Sequence, residues 1–325
     1  MIKNKEITLN NKYPKAGEIL KKNDIIEINH KKEEKEIKSE DLNLEIVYED
    51  DDVIVVNKPN GMVVHPAPGN YSGTLVNGLM YHTKLSDING ELRPGIVHRI
   101  DAYTTGLLMV AKNNKAHQIL ADELAKKETH RKYVALVWGV IPNDTGTINA
   151  PIGRNPNDRK KMAIMPNGKK AITHFKVIKR YKNATLIELE LETGRTHQIR
   201  VHMDYIKHPV VNDPVYGKRK IIDNTGQCLH AKELGFKHPK TNKYMLFTSE
   251  IPQSFTNILN KFEEGEQNEW NNNRQKRRNC DEITSLFYNR KRIQPCNCKR
   301  SKRRNMVRKF GWGLQHNKNC FKLHP

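Results

Sequence analysis

The chain has 325 residues, of which 36% are hydrophobic and 29% are charged. This length holds one large domain and a small accessory one, with enough apolar surface for a core. The first ten residues mix charges with single apolar residues, and no apolar run reaches membrane-spanning length, so we expect a cytoplasmic protein without a membrane segment. Five cysteines, an odd number in a chain with no export signal, predict reduced thiols.

The formal net charge of +21 favours a nucleic acid as the partner. This charge is unevenly distributed. Residues 271–325 contain 16 Lys and Arg against 2 Asp and Glu, and therefore carry +14, whereas residues 1–270 carry +7. The overall charge is thus weaker evidence about the larger part of the chain than about its tail.

Residues 1–40 are predicted to form a small separate unit. The runs Ile7–Lys12 and Ile19–Ile28 have strand, turn and strand character, with apolar residues at alternating positions. The charged stretch His30–Asp41 is predicted to be a linker.

Residues 41–262 are predicted to form an α+β domain with a mixed, largely antiparallel sheet, because short strand patterns outnumber helical ones. The expected elements are a hairpin of Leu44–Tyr48 with Val53–Asn57, a helix at Thr74–His82, strands at Ile96–Ile100 and Gly106–Lys112, an amphipathic helix at Asn114–Lys126, a strand at Lys132–Val140, and a hairpin of Ala171–Lys179 with Ala184–Glu192.

Two motifs about a hundred residues apart carry the chemistry. Thr193–Arg200, in one-letter code TGRTHQIR, opens a predicted helix that would hold basic residues beside a reaction centre. His98-Arg99-Ile100-Asp101 precedes Gly106 and an apolar, strand-like run. A carboxylate at the lip of a strand and an arginine on a helix turn suit a charge-paired nucleophile. The second motif is similar to a protein-kinase catalytic loop, but no glycine-rich phosphate loop accompanies it.

Five ordered blocks resemble pseudouridine synthases of the RluA/RluD family, which act on uridines of large-subunit rRNA. The blocks are Asn57–Gly61 continuing to His65–Gly69, His98–Gly106, Lys132–Ala135, Thr193–His202, and Leu229–Ala231 with His238-Pro239. The resemblance spans residues 44 to about 260. It implies a curled sheet with flanking helices and an active site in a central cleft.

The resemblance also implies roles for individual residues. Asp101 corresponds to the catalytic aspartate, Arg200 to its arginine partner, and Tyr133 to the tyrosine that stacks on uracil. Taken singly, the same residues are compatible with a turn aspartate, a surface arginine and a core aromatic. Arg99 corresponds to the residue that fills the gap left by the flipped base. Further substrate-binding residues are expected at Arg195 and His197, and neither a metal nor an organic cofactor is expected.

Some positions depart from the family pattern and leave alternatives open. Ala102 and Tyr103 replace charged residues beside Asp101, which puts RNA contacts there in doubt. If these changes close the site, a non-catalytic RNA-binding or ribosome-assembly factor is favoured, and a tRNA-directed synthase is a further alternative. Asn212 stands where glycine is usual and tolerates the same left-handed backbone. The preferred interpretation is a monomer that modifies 23S-type rRNA.

The two ends fit the family less well. Residues 1–40 resemble the second half of a small RNA-binding domain whose first two helices are missing, either as a truncation or as an appendage. The basic tail, residues 263–325, matches nothing in the family and is interpreted as disordered or as an aberrant reading frame. A zinc site of Cys296, Cys298, His316 and Cys320 is not expected, because a single residue separates Cys296 from Cys298, whereas paired zinc ligands are usually separated by two or more.

Overall fold

The computed structural model describes residues 2–29, 37–67, 69–90, 92–158, 160–217 and 221–265, together with the backbone of 314–317 and 320–323. Near the N-terminus, β1 (Ile7–Leu9) and β2 (Ile26–Ile28) pair antiparallel, as the alternating pattern predicts. The assignment of this hairpin to an RNA-binding remnant, and the domain boundary near residue 41, stay predictions.

A nine-stranded sheet dominates the described residues. Its strands run in the order β3-β4-β5-β12-β6-β11-β10-β7, with β13 pairing β12, and β8 and β9 form a separate hairpin. Only the pair of β5 with β12 is parallel among the described pairs of this sheet, which confirms the predicted mixed, largely antiparallel sheet of an α+β fold. The strands are β3 (Ile46–Glu49), β4 (Val53–Lys58), β5 (Thr105–Ala111), β6 (His130–Trp138), β7 (Thr145–Asn149), β8 (Ile152–Arg154), β9 (Met162–Ile164), β10 (Ile172–Arg180), β11 (Ala184–Leu191), β12 (Leu229–Lys237) and β13 (Tyr244–Thr248).

The helices begin where polar caps precede apolar runs. In α1 (Leu75–His82), the Thr74 hydroxyl accepts from the backbone N–H of Asn77, whose side chain accepts in return from the backbone of Thr74. In α2 (Asn114–Lys126), the Asn113 side chain caps the first turn. The third helix is α3 (Gln198–Tyr205), and a fourth spans 253–265.

Both faces of the sheet are buried along its central strands. On one face, side chains of β4, β5, β6 and β12 join α1 and α3 in the largest apolar cluster. On the other face, α2 covers β4, β5 and β12, and the helix at 253–265 covers β6 and β11. The sheet is therefore a rigid platform for the segments that leave its strand ends.

Gly106 in β5 allows the parallel pairing at the centre of the sheet. Its φ of +108° lies in a region that L side chains rarely adopt, and a Cβ there would lie 2.3 Å from the carbonyl oxygen of Ala231 in β12. Glycine is therefore required for the close approach of the two strands. Asp101 lies five residues before this fixed point.

The predicted strand Ile96–Ile100 is wrong. Only Ile96 makes a bridge, to Val110, because Gly95 before it has a left-handed φ of +70°. The imidazole Nε2 of His98 then accepts the backbone N–H of Met109 at 3.1 Å. A side chain thus supplies a hydrogen bond that a strand backbone would otherwise make.

The chain ends are described only in part. Of the predicted linker, residues 30–36 lie outside the described residues, whereas Lys38 and Glu40 bind the side chain and backbone of Asn77 in α1. The predicted tail also lies outside them, apart from residues 263–265 of the last helix and a backbone hairpin of β14 (Leu314–Asn317) with β15 (Cys320–Leu323). Within the described part of the chain, no helix has the length and apolar character needed to span a bilayer.

Candidate active site

One cleft of about 420 Å³ brings together all six residues that the sequence singles out. It opens between the loop before β5, the cleft-facing side of β6, and the segment that leads from β11 into α3. The six residues on its lining are Arg99, Asp101, Tyr133, Arg195, His197 and Arg200.

Asp101 and Arg200 form an ion pair in this cleft. The Nη1 of Arg200 donates to Oδ2 of Asp101 at 2.8 Å, and the two side chains are 5% and 17% exposed. The loop holding Asp101 is closed by the backbone N–H of Thr104, which donates to the carbonyl of Asp101. Arg200 therefore holds the carboxylate and Thr104 holds its backbone, while the side chain still lines the cleft.

Asp213 holds Arg200 from behind. Its fully buried carboxylate accepts from Nε and Nη2 of Arg200 at 2.7 and 2.9 Å, a two-pronged pairing. It also accepts the backbone N–H groups of Val215 and Tyr216. Although burial acts to raise the pKa of Asp213, its bonds to Arg200 lower that pKa below its usual value. An ionised carboxylate thus fixes the orientation of the arginine.

His197 and Tyr216 extend the charge network. The hydroxyl of Tyr216 accepts the backbone N–H of Met162 and lies 2.9 Å from Nδ1 of His197. In a neutral imidazole whose ring proton lies on Nε2, Nδ1 accepts the proton of this hydroxyl. Nε2 lies 3.8 Å from Oδ1 of Asp101. Burial lowers the pKa of His197 despite the nearby Asp101, which favours this neutral form.

A buried polar chain attaches α3 to β10. Thr193 donates to Oε1 of Gln198, whose amide nitrogen donates to the hydroxyl of Thr173. Thr173 donates to Nδ1 of His202, and Nε2 of His202 donates to the carbonyl of Ala150 at 3.0 Å. Every one of these side chains is buried. The chain fixes the helix that carries Arg200, because a buried polar network tolerates few alternative arrangements.

The remaining predicted residues occupy different depths. Tyr133 lies in β6 with 7% exposure, and its hydroxyl makes no hydrogen bond to the described residues. Burial raises its pKa. Arg99 is exposed, with Nη1 3.3 Å from Nε2 of His65. Arg195 is anchored at Nε by the carbonyl of Lys170 at 3.0 Å.

Lys58 supports the Asp101 loop from below. It is 1% exposed, and its ammonium donates to the carbonyls of Pro59, Met62 and Ala102 at 2.8 to 2.9 Å. Burial lowers the pKa of Lys58 to about 7. Ala102 thus contributes its backbone carbonyl, which accepts from Lys58. Tyr103 lies against Gly226 with 44% of its surface exposed. Neither departure from the family pattern closes the cleft.

Sequence reasoning assigned no role to Lys58, Asp213 or Tyr216. Lys58 and Asp213 stand in the runs Asn57-Lys58-Pro59 and Val210–Pro214, but only the fold shows that Lys58 holds the Asp101 loop and that Asp213 and Tyr216 contact Arg200. Asn212 has the expected left-handed φ of +62°. It also accepts the backbone N–H groups of Ile222 and Asp223, which fixes the following loop.

One group of described side chains has metal-ligand spacing, but it lies outside the cleft. Asp50, Asp52 and His238 place their ligand atoms within 4.8 Å of one another. Asp50 already accepts from the Tyr48 hydroxyl, from His238 and from the N–H groups of Asp52 and Val53. Burial opposes these bonds, yet together they lower the pKa of Asp50 to about 2. The group stabilises the turn between β3 and β4.

Comparisons with known proteins show the family to which the chain belongs. Residues 52–205 match the model of the RNA pseudouridylate synthase family. An uncharacterized RNA pseudouridine synthase of Bacillus subtilis is 52% identical over 260 residues, which cover 79% of this chain and 86% of the relative. The ribosomal large subunit pseudouridine synthase D of Zymomonas mobilis is 51% identical, with 66% and 71% covered.

A solved structure supports the fold. The human RNA pseudouridylate synthase domain containing 1 superposes with a TM-score of 0.55 at 27% identity, covering 65% of this chain and 85% of the human one. The identity to the Bacillus relative extends over most of both chains, and the motif residues meet in one cleft. The chain therefore belongs to the RNA pseudouridine synthases, in the RluA/RluD family that its five blocks resemble.

Proposed function

We propose that this protein converts specific uridines of 23S-type large-subunit rRNA to pseudouridine, with Asp101 as the catalytic carboxylate. The observation that carries the proposal is the 2.8 Å ion pair of Asp101 with Arg200, itself fixed by Asp213. The rRNA substrate is supported by the similar Zymomonas protein, whose name assigns it to the large ribosomal subunit.

The reaction needs a carboxylate but no change of oxidation state. The bond between N1 of uracil and C1′ of ribose breaks, the base turns, and C5 bonds to C1′; C5 loses its proton and the freed N1 takes one up. Asp101 acts as nucleophile at C1′ or as base at the neighbouring ribose position. Arg200 aims the carboxylate, because its other two hydrogen bonds fix the guanidinium plane on Asp213.

The remaining cleft residues hold the flipped nucleotide. Tyr133 presents its ring to the uracil, and its hydroxyl is available to assist removal of the C5 proton. Arg99, exposed at the rim, fills the gap that the flipped base leaves in the RNA. Arg195 and His197 contact the substrate from the segment that leads into α3.

The open cleft weighs against a non-catalytic assembly factor. That alternative requires Ala102 and Tyr103 to block the site, whereas the cleft keeps about 420 Å³ and the Asp101 carboxylate lies on its lining. We also propose that the protein acts as a monomer in the cytoplasm. Light scattering of the purified protein with and without RNA tests whether it is a monomer.

The test is pseudouridine formation on unmodified transcripts. Purified protein is incubated, in the presence of a chelator, with a large-subunit rRNA transcript and separately with tRNA transcripts. We expect pseudouridine at discrete rRNA positions. Modification of tRNA alone would support the tRNA-directed alternative, and intact RNA binding without any pseudouridine would support the assembly factor.

A further inference from the structure

Arg131 lies in the cleft wall without a counter-charge. It is 7% exposed, and it belongs to β6 two residues before Tyr133, on the same face of the strand. Its one hydrogen bond to the described residues is a long one, from Nη2 to the carbonyl of Leu191 at 3.4 Å. Nε is buried without any partner.

The described surroundings of Arg131 offer no negative charge. No described carboxylate lies within ion-pair distance of its guanidinium, and Asp101 is engaged by Arg200. The neighbouring His98 is uncharged, since burial and the positive charge of Arg131 lower its pKa to about 3. A buried, unpaired guanidinium is costly to a folded protein, so its retention on the wall of a cleft indicates a ligand.

Gly194 makes room for this side chain. A Cβ on Gly194 would lie 2.8 Å from Nη1 of Arg131. Because glycine has no Cβ, the guanidinium can pack against the backbone of the Thr193–Arg200 motif. Arg131 lines the cleft together with Leu191 and Gly194.

We propose that Arg131 binds a phosphate of the RNA next to the target uridine. Residues two apart on a strand are about 7 Å apart, so a nucleotide whose base lies on Tyr133 brings its flanking phosphates near Arg131. A phosphate supplies the missing negative charge and matches the planar fork of a guanidinium, whereas a uracil carbonyl is neutral. This inference rests on the proposed function, since it assumes a uridine in the cleft.

The first test compares Arg131→Met with Lys132→Met. Both changes remove one positive charge from β6, but Lys132 points to the opposite face and pairs there with Glu188 and Glu233. Affinity for a large-subunit rRNA transcript is measured across a salt series. For Arg131→Met we expect binding weakened by about tenfold or more, and a slope of log affinity against log salt reduced by about 0.7–0.9. Lys132→Met should leave the slope unchanged.

Thermal unfolding separates binding from a structural role. Methionine keeps the unbranched apolar stem of the side chain and removes an unpaired buried charge, so the Tm of Arg131→Met should equal or exceed that of the wild type. A lower Tm with an unchanged salt slope would show that Arg131 is structural, and the inference would be wrong.

The second test locates the phosphate. Neutral methylphosphonates replace single phosphates around the uridine that the wild-type enzyme modifies, or around the protected segment if it modifies none. Substitution at one phosphate position should weaken RNA binding by the wild type and have no effect on binding by Arg131→Met. Gly194→Ala, which displaces the guanidinium, should weaken RNA binding in the wild type but not in Arg131→Met. Additive losses in both experiments would overturn the inference.

The outcomes distinguish this inference from the proposed function. Pseudouridine formation by the wild type is measured on the same transcript. If the wild type forms pseudouridine and Arg131→Met keeps the wild-type salt slope, only the phosphate contact is refuted. If the wild type forms none but the slope changes as expected, only the proposed activity is refuted.

Discussion

Replacing Arg200 by alanine or lysine separates the charge of the arginine from the geometry of its fork. The side chain makes three hydrogen bonds, one to Asp101 and two to Asp213. Alanine removes all three and leaves the fully buried Asp213 with backbone N–H donors alone. Lysine restores a positive charge, but one ammonium cannot reproduce the planar arrangement that bridges two carboxylates.

The magnitude follows from these contacts. Leaving a buried carboxylate uncompensated costs about 3–5 kcal/mol of unfolding free energy, which lowers the Tm by roughly 6–20 °C for a domain of this size. The charged hydrogen bond to Asp101 contributes about 1.5–3 kcal/mol, so Arg200→Ala should slow isomerisation at saturating RNA by about 10- to 150-fold. The Tm and the isomerisation rate of Arg200→Lys should both lie between those of Arg200→Ala and the wild type.

The assay combines thermal unfolding with single-turnover product formation at saturating enzyme, below the Tm of every variant. Arg180→Ala is a matched control, because Arg180 also makes three hydrogen bonds, to Ile141, Pro142 and the exposed carboxylate of Asp144. Arg180→Ala should change neither the Tm nor the single-turnover rate strongly. A folded Arg200→Ala variant with the wild-type rate would refute the conclusion that this arginine aims the catalytic carboxylate.

Three further predictions concern the sheet, the tyrosine and the network beneath α3. Gly106→Ala should lower the unfolding free energy by about 2–5 kcal/mol, because it combines a strained φ with a clash on Ala231, and an unchanged denaturation midpoint would contradict this. Tyr133→Phe keeps the ring, so a rate loss of at least about 100-fold with unchanged RNA affinity is expected if the hydroxyl transfers a proton, whereas a near-wild-type rate confines Tyr133 to stacking. Burial lowers the pKa of His202 below its ordinary value of 6.5. Just below pH 6.5, His202 is therefore protonated in the unfolded chain but still neutral in the folded protein. The wild type should therefore lose stability relative to His202→Gln as pH falls from 7 to 5, by up to about 1.4 kcal/mol per pH unit, and parallel curves of stability against pH would exclude this linkage.

Local patterns predicted the elements whose signals are contained in a short stretch of chain. The helix Asn114–Lys126 has the predicted bounds because its cap and its apolar face are both local. The hairpin of β10 with β11 follows from two alternating runs and a short turn. The strand predicted at Ile96–Ile100 was wrong for two reasons. Gly95 has a left-handed backbone conformation, and the distant Met109 bonds to the side chain of His98.

The site was predictable only where motifs carry it. Asp101 and Arg200 are 99 residues apart in sequence, and the resemblance to a known family, rather than residue spacing, indicated that they pair. Asp213 and Lys58 were not assigned because their roles arise from burial. A carboxylate becomes the anchor of an arginine, and an ammonium the support of a loop, only when the fold removes water from both partners.

Single-turnover isomerisation by Asp101→Asn tests the central claim most directly. Asparagine keeps the shape of the side chain and removes the carboxylate that serves as nucleophile or base. With saturating enzyme on a large-subunit rRNA transcript, we predict no detectable pseudouridine and an RNA affinity within a few-fold of the wild type. Substantial pseudouridine formation by this variant, after mass spectrometry has excluded its deamidation to aspartate, would contradict the assignment of Asp101 as the catalytic residue.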